Sequence, residues 1–157
     1  MRFLRAPLLA MGVILTILAC QVQPAGMPVP GGIYKITLPV DTERASLAWL
    51  FLAISSDVST ITSIRLLIQD LECEALRAET TDYFHAILVS IQDGEFSFVE
   101  RGVGDVKGRF LSDGSAQGTA KIYFDLERMG ALTNFIVHDN EALCDLGAVK
   151  WTAEAPK

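Results

Sequence analysis

The sequence has few of the residues that usually build catalytic centres. Only two of its 157 residues are histidines, His85 and His138, too few and too far apart in the chain to indicate a zinc site or a catalytic triad. The segment 138–141, with the sequence HDNE, lacks the spacing of a calcium-binding loop. The acidic residues Asp70 and Glu72 are as typical of a solvated strand as of a catalytic pair. We therefore expect no enzymatic activity, no metal and no cofactor.

Basic residues are also scarce, since the chain has 13 of them against 19 acidic residues and a net charge of −6. The first 19 residues contain two of the basic residues, Arg2 and Arg5, and no acidic residue. A chain that begins at Cys20 therefore keeps 11 basic and 19 acidic residues, and its net charge is −8. This balance argues against nucleic acid as a partner, because phosphate binding depends on clustered Lys and Arg. It also argues against docking on anionic lipid by charge alone.

The N-terminal apolar stretch is shorter than the about 20 residues that a membrane-spanning helix needs. It covers 7–18, follows Arg2 and Arg5, and precedes a small residue and Cys20. This is the layout of a cleavable export signal. A retained transmembrane anchor and a buried helix at the start of a soluble domain are weaker alternatives. Neither of them requires the preceding arginines or the Pro/Gly-rich segment that follows.

The four residues Ile17-Leu18-Ala19-Cys20 resemble the lipobox of bacterial lipoproteins. The resemblance implies that a diacylglycerol is transferred to the Cys20 thiol, that residues 1–19 are removed as a signal peptide, and that acyl chains such as palmitate anchor the protein to a membrane. Gln21, rather than Asp, follows the cysteine. In a Gram-negative source this implies the outer membrane, and otherwise the anchor implies the outer face of the cell membrane.

The segment 20–32 reads as a tether that carries the lipid at its first residue. It contains three prolines, three glycines and no charged residue. Such a composition favours an extended chain of about 3.1 Å per residue, or roughly 35 Å over a dozen residues. The sequence thus divides into a signal peptide (1–19), a lipidated tether (20–32) and one domain (33–157).

With Cys20 assigned to lipid, Cys73 and Cys144 remain as a pair. In an exported protein an even pair indicates a disulfide. The bond would close a loop of about 70 residues, worth about 4 kcal/mol in the chain-entropy model. The alternatives are a metal-binding or a nucleophilic thiol, but no flanking pattern points to a base or to further ligands.

From Ile33 onward the pattern predicts an all-β domain. In 33–38 apolar and polar residues alternate, as in a half-buried strand. The run Leu47–Ile54 is continuously apolar and predicts a central strand buried on both faces. The sequence Asp93-Gly94 favours a tight hairpin turn. Further strands are predicted over 59–68, 84–91, 96–99, 106–111, 116–124 and 149–153.

Three features of this β-pattern carry specific expectations. Over 61–79 the apolar residues recur at helical spacing. The sequence therefore allows a short helix near 70–79, after the strand predicted over 59–68. Gly108 and Gly118 lie within predicted strands and indicate close approach of another group or a bulge. Trp49 and Trp151 are expected in the core, with a sugar-stacking platform as the alternative.

The order of landmarks resembles a β-rich module that recurs in secreted proteins and lipoproteins of bacteria and has no assigned activity. The matching landmarks are Cys73, 91–97 (IQDGEFS), 106–110 (VKGRF), 116–119 (AQGT), Cys144 and 151–153 (WTA). The resemblance implies an antiparallel β-sandwich, jelly-roll-like or immunoglobulin-like, and a bond between Cys73 and Cys144. It implies no chemistry.

The sequence therefore predicts a lipid-anchored envelope protein whose β-sandwich has a structural or protein-interaction role. The alternative is a module that binds a small ligand or a glycan at the membrane surface. A flat apolar patch or an open strand edge would favour a protein partner, whereas a concave pocket with convergent polar groups would favour a ligand. The residues that would bind either partner are not identifiable from the sequence.

Overall fold

The computed structural model describes residues 25–40, 43–73, 76–100, 104–125, 136–137 and 143–157. Over these ranges the chain is all-β and contains no helix, which confirms the predicted fold class. It follows that no helix in this part of the chain could span a membrane. The strands are β1 (Ile33–Leu38), β2 (Leu47–Ile54), β3 (Thr60–Cys73), β4 (Leu76–Ser90), β5 (Glu95–Glu100), β6 (Gly104–Phe110), β7 (Ala116–Asp125), β8 (Ile136–Val137) and β9 (Leu143–Ala153).

The strands form two antiparallel sheets that face each other as a β-sandwich. Sheet 1 has the order β1-β2-β3-β4-β8, and sheet 2 has the order β5-β6-β7-β9. Within each sheet, strands that follow one another in the chain are mostly neighbours, so both sheets are meanders. Jelly rolls and immunoglobulin domains are built from Greek-key connections instead. The predicted sandwich is therefore correct, but its strand order is neither of the two that the sequence suggested.

Tyr34 joins the two sheets and the segment that precedes them. Its side chain is fully buried, and its ring centroid lies 5.1 Å from that of Phe110 in sheet 2. Its hydroxyl donates to the carbonyl of Gly114 at 2.8 Å and accepts from the N–H of Val29 at 3.0 Å. Burial raises the pKa of this hydroxyl. One residue of β1 thus contacts three separate parts of the chain.

The segment 25–32, predicted as tether, lies against the sandwich. The N–H of Gly26 donates to the carbonyl of Phe110 at 2.9 Å, and Ala25 bridges Leu111. A Cβ on Gly26 would lie within 2 Å of the Leu111 carbonyl oxygen, so this approach requires glycine. Residues 25–32 therefore pack on the sandwich through backbone contacts with the end of β6. The predicted signal peptide, Cys20 and the rest of the predicted tether lie outside the described residues.

The short helix that the sequence allowed near 70–79 does not form, because 70–73 and 76–79 belong to the paired strands β3 and β4. Two local irregularities explain the helical spacing. A register shift between Ile61 and Ser63 places Ile61 and Ile64 on the same face. The positive φ of Asp70, 51°, turns Leu71 towards the core three residues after Ile68. A strand with two irregularities thus imitates the apolar period of a helix.

The prediction that β2 is buried on both faces is wrong. Alternate residues from Ala48 to Ile54 are buried in the core, whereas Leu47, Trp49, Phe51 and Ala53 are only partly covered. The reason is the two-layer architecture, in which each sheet has one inner face and one outer face. Within the described residues, the outer face of sheet 1 has no third layer over it.

The two strand glycines behave as the sequence predicted. Phe96, Gly108, Gly118 and Trp151 oppose one another in a row across sheet 2. The indole of Trp151 lies over the inner side of both glycines, and a Cβ on either would be 2.6 Å from its Cζ2 atom. Trp151 is 3 % exposed, and its ring centroid is 6.2 Å from that of Phe96. The absence of side chains at two positions therefore makes room for the largest aromatic residue of the core.

We expect Gly108→Ala to destabilise the protein by about 2 kcal/mol, because its Cβ would press on Phe96 and Trp151. Chemical denaturation followed by circular dichroism measures this change. Thr119→Ala, at an exposed position of the same sheet, serves as the control and should stay within about 0.5 kcal/mol. In a Trp151→Leu background the cost of Gly108→Ala should shrink. An equal cost in both backgrounds would contradict the packing explanation.

Candidate functional site

The cysteine and metal-ligand candidates are only partly within the described residues. Cys20, His138 and the rest of 138–141 lie outside them. Cys73 is the last residue of β3 and packs partly against the core. Cys144 is the second residue of β9, and its backbone pairs with that of Phe124. In the described part of the chain, no three His, Cys, Asp or Glu side chains are grouped so that they could hold a metal.

The two tryptophans have different environments. Trp151 is a core residue, so it offers no platform for a sugar. Trp49 lies on the outer face of sheet 1, where it is partly covered, and the Nζ atom of Lys35 lies 4.6 Å from its ring centroid. A cation–π contact of this kind already occupies one side of the indole. Of the two indoles, only that of Trp49 is partly exposed, and Lys35 covers one of its faces.

His85 contacts a carboxylate, but on an open surface. Its Nδ1 atom is 3.0 Å from Oε1 of Glu100, and the hydroxyl of Tyr83 donates to the same oxygen at 3.1 Å. The His85 side chain is 48 % exposed. Four of the cavities that the described residues form are lined by other side chains. The cluster joins β4 of sheet 1 to β5 of sheet 2 at the side of the sandwich.

The acidic pair of β3 is also in solvent. Asp70 and Glu72 are exposed, and the Asp70 carboxylate accepts a hydrogen bond of 2.7 Å from the hydroxyl of Ser46. The N–H of Glu72 donates to the carbonyl of Arg44 at 2.7 Å. These contacts attach the preceding loop to β3. They do not direct two carboxylates at a common point.

The surface that stands out is a shallow apolar groove on the outer face of sheet 1, which we call the outer groove. It is lined by Ile33, Phe51, Ala53, Ser63, Arg65, Asp82 and Phe84. The cross-strand register explains this grouping, since Phe51 opposes Arg65, and Arg65 opposes Phe84 on the next strand. Phe84 is 65 % exposed and Ile33 is 62 % exposed. Large apolar side chains that lie together on a surface usually mark an interaction site.

One ion pair crosses the floor of the outer groove. The Nε atom of Arg65 donates to Oδ1 of Asp82 at 2.8 Å, and its Nη2 atom donates to Oδ2 at 2.6 Å. The hydrogen bond from Arg65 lowers the pKa of the Asp82 carboxyl. This two-point geometry is the strong arrangement for an arginine and a carboxylate. The groove therefore combines apolar walls with charges that already satisfy each other.

Sequence reasoning missed the outer groove, although one signal was present. The run Leu47–Ile54 is apolar at successive positions, so it had to place apolar side chains on both faces of its strand. Ile33 and Phe84 gave no such signal. Their proximity to Phe51 follows from the register of β1, β3 and β4, which no local pattern specifies.

Comparison with protein-family models, with curated proteins and with solved structures gives no match to this chain. The arguments for its function therefore come from its own residues and surfaces.

Burial raises the pKa of Tyr83 to about 12, and the adjacent Glu100 carboxylate acts in the same direction. Because this pKa is higher in the folded protein than in the unfolded chain, its contribution to stability is present below about pH 10 and is lost as pH rises towards 12. We expect the free energy of unfolding to fall over this interval and Tyr83→Phe to reduce the slope. Denaturation at a series of pH values tests this. An identical slope in Tyr83→Phe would contradict it.

Proposed function

We propose that the protein is a lipid-anchored lipoprotein of the cell envelope whose β-sandwich is non-catalytic and docks a protein partner. The observation that supports the docking role is the outer groove, a shallow and mostly apolar surface on sheet 1. The lipid anchor rests on the lipobox that ends at Cys20. The two halves of the proposal are independent, since one concerns the N-terminal signal and the other a folded surface.

The size of the surface fits a modest interface. The groove crosses four strands spaced about 4.8 Å apart and covers about three residues on each, which gives roughly 200 Å² in projection. A stable protein complex usually buries about 800 Å² on each partner. Covering Phe84 and Ile33 would each contribute about 1–2 kcal/mol. We therefore expect a weak contact that gains strength when both partners are confined to one membrane.

The chemistry of the groove favours a protein over lipid tails as its occupant. The side chains of Arg65 and Asp82 are 51 % and 43 % exposed. Hydrocarbon would remove their remaining water and offer no polar group in return, which is costly even for a paired charge. A protein surface can bury Phe84 and at the same time present hydrogen-bonding groups to the ion pair. The partner surface should thus be apolar with a few polar groups.

The docked position of 25–32 gives the anchor a geometric role. Only 20–24 remain between the proposed lipid and the described domain, and five residues span at most about 17 Å. Ala25 and Gly26 contact the end of β6. An anchor there would hold the sandwich by one end of its strands, so that the sheet faces point sideways. In this orientation the outer groove would be directed at neighbouring proteins in the same membrane.

The proposed disulfide between Cys73 and Cys144 has support from Arg44. The Arg44 carbonyl accepts from the N–H of Glu72, next to Cys73. The Arg44 guanidinium donates to the carbonyl of Asp145, next to Cys144. One residue of the loop before β2 thus contacts the neighbours of both cysteines, in sheet 1 and in sheet 2.

The alternative function, a module for a small ligand or a glycan, has a different observation in its favour. Among the described residues, the outer face of sheet 2 carries Lys107, Arg109 and Lys150, which have no carboxylate within 4 Å. The arrangement of these residues favours one class of glycan. Binding of that glycan requires neither the lipid anchor nor the outer groove.

To test the docking role, a photo-reactive phenylalanine analogue is placed at Phe84 in the native cells. We expect a discrete protein cross-link at Phe84 that weakens several-fold when Ile33→Ser is added. The matched control is Val99, which is 67 % exposed and belongs to sheet 2. A missing cross-link at Phe84, the same cross-link at Val99, or cross-linking to lipid alone would each contradict the proposal.

Intact mass spectrometry of the membrane-extracted protein tests the anchor and the disulfide together. We expect a chain that begins at Cys20 with added acyl mass, and loss of that mass in Cys20→Ala. Non-reducing peptide mapping should recover Cys73 joined to Cys144. An unacylated N-terminus would refute the anchor, and two alkylatable thiols in freshly isolated protein would refute the disulfide.

A further inference from the structure

The basic residues of the described chain differ in whether they have partners. Lys35 lies over Trp49, Arg65 pairs with Asp82, and Lys121 is 3.9 Å from Asp145. By contrast, Lys107, Arg109 and Lys150 have no carboxylate within 4 Å among the described residues. Lys107, Arg109 and Lys150 all lie on the outer face of sheet 2.

The strand register places these three cations close together. Lys107 opposes Thr119, and Thr119 opposes Lys150, so the two lysines are two strand spacings apart, about 10 Å. Arg109 lies two residues from Lys107 on the same strand, about 7 Å along it. With its amide in the orientation that satisfies both groups, Gln117 accepts from Nε and Nη2 of Arg109 at 3.0 and 2.8 Å. A neutral amide thus holds the guanidinium in place and leaves its charge uncompensated.

The other groups on this face are mostly uncharged hydrogen-bonding groups. Ser97, Thr119 and Thr152 contribute hydroxyls to the same shallow basin, beside the amide of Gln117. Two carboxylates lie nearby. Glu95 opposes Arg109 on the edge strand β5, and Asp105 lies two residues from Lys107 on β6, and neither forms an ion pair with the three cations. We call this surface the basic face.

We propose that the basic face binds an anionic polysaccharide, that is, a chain of sugars bearing sulfate, phosphate or carboxylate groups. The three cations attract the acidic groups, and the hydroxyls and the amide supply the hydrogen bonds that sugar hydroxyls need. A neutral glycan would leave the three positive charges without partners.

Two other anionic partners fit the basic face less well. The core of a protein interface is depleted in charge and rich in aromatic residues, and the centre of this face has the opposite composition. An anionic membrane surface would have to meet a broad sheet face, whereas the N-terminal segment meets the sandwich at the strand ends. A flexible anionic sugar chain can lie along the strands without either constraint.

Because the protein is negatively charged overall, binding of a polyanion is a sensitive test for a local cluster of cations. With a net charge of −6, the chain as a whole repels polyanions, so non-specific attraction is disfavoured. Binding to a polyanion therefore requires a local cluster of cations. It should weaken as salt rises, because each neutralised anion releases a counterion.

The test uses the full-length protein in detergent and two polymers with the same backbone, dextran sulfate and neutral dextran. We expect dextran sulfate to bind, neutral dextran to bind far more weakly, and Lys107→Gln/Lys150→Gln to lower the affinity for dextran sulfate about tenfold or more. Lys35→Gln on sheet 1 removes one positive charge elsewhere and should change the affinity less than twofold. Circular dichroism confirms that the variants are folded.

Competition separates a polysaccharide from the other anions. Poly-glutamate and phosphatidylglycerol vesicles, added at equal concentrations of charge, should not displace dextran sulfate. Displacement by either of them would overturn the assignment to polysaccharide. An absence of dextran sulfate binding, or an equal loss in Lys35→Gln, would overturn the basic face as the site.

Discussion

The buried contact between Tyr34 and Phe110 holds the two sheets and the N-terminal segment in one arrangement. The rings meet across the core, and the Tyr34 hydroxyl bonds both to Val29 and to the turn at Gly114. These bonds keep 25–32 on the sandwich. The orientation proposed for the anchored protein therefore depends on a core tyrosine.

The two outer faces of the sandwich are chemically different, and the two proposed binding roles follow from this difference. Sheet 1 exposes Phe84 and Ile33 around an internally paired arginine, whereas sheet 2 exposes lysines with hydroxyl neighbours. The former is suited to a protein surface and the latter to an anionic sugar chain. An envelope protein with both could hold a protein partner on one side and surrounding polysaccharide on the other.

Local sequence rules predicted the class of the fold and some of its packing. Alternation identified β1, and Gly108 and Gly118 marked a close approach, which proved to be that of the Trp151 ring. The sequence left a short helix near 70–79 open, and none forms there, because a register shift and the positive φ of Asp70 produce helical spacing in a strand. Local patterns do not reveal such irregularities, since they depend on pairing with a neighbouring strand.

The surfaces were harder to predict than the core. The net charge suggested an acidic protein that avoids polyanions. A net charge does not reveal a local cluster of cations such as the one that Lys107 and Lys150 form. These two residues are 43 positions apart in the sequence and meet only through the register of β6, β7 and β9. The same holds for Ile33 and Phe84 on sheet 1. Residues that share a face of a sheet become neighbours through long-range pairing, which a single sequence does not display.

The central claim, that the outer groove is covered by a protein partner, is tested most directly by photochemical footprinting in intact envelopes. Phe84 is 65 % exposed and Met27 is 70 % exposed in the isolated domain, and Met27 lies outside both proposed binding faces, so it serves as the reference. The account predicts that the labelling of Phe84 relative to Met27 falls several-fold between the purified protein and the intact envelope. An unchanged ratio would contradict it.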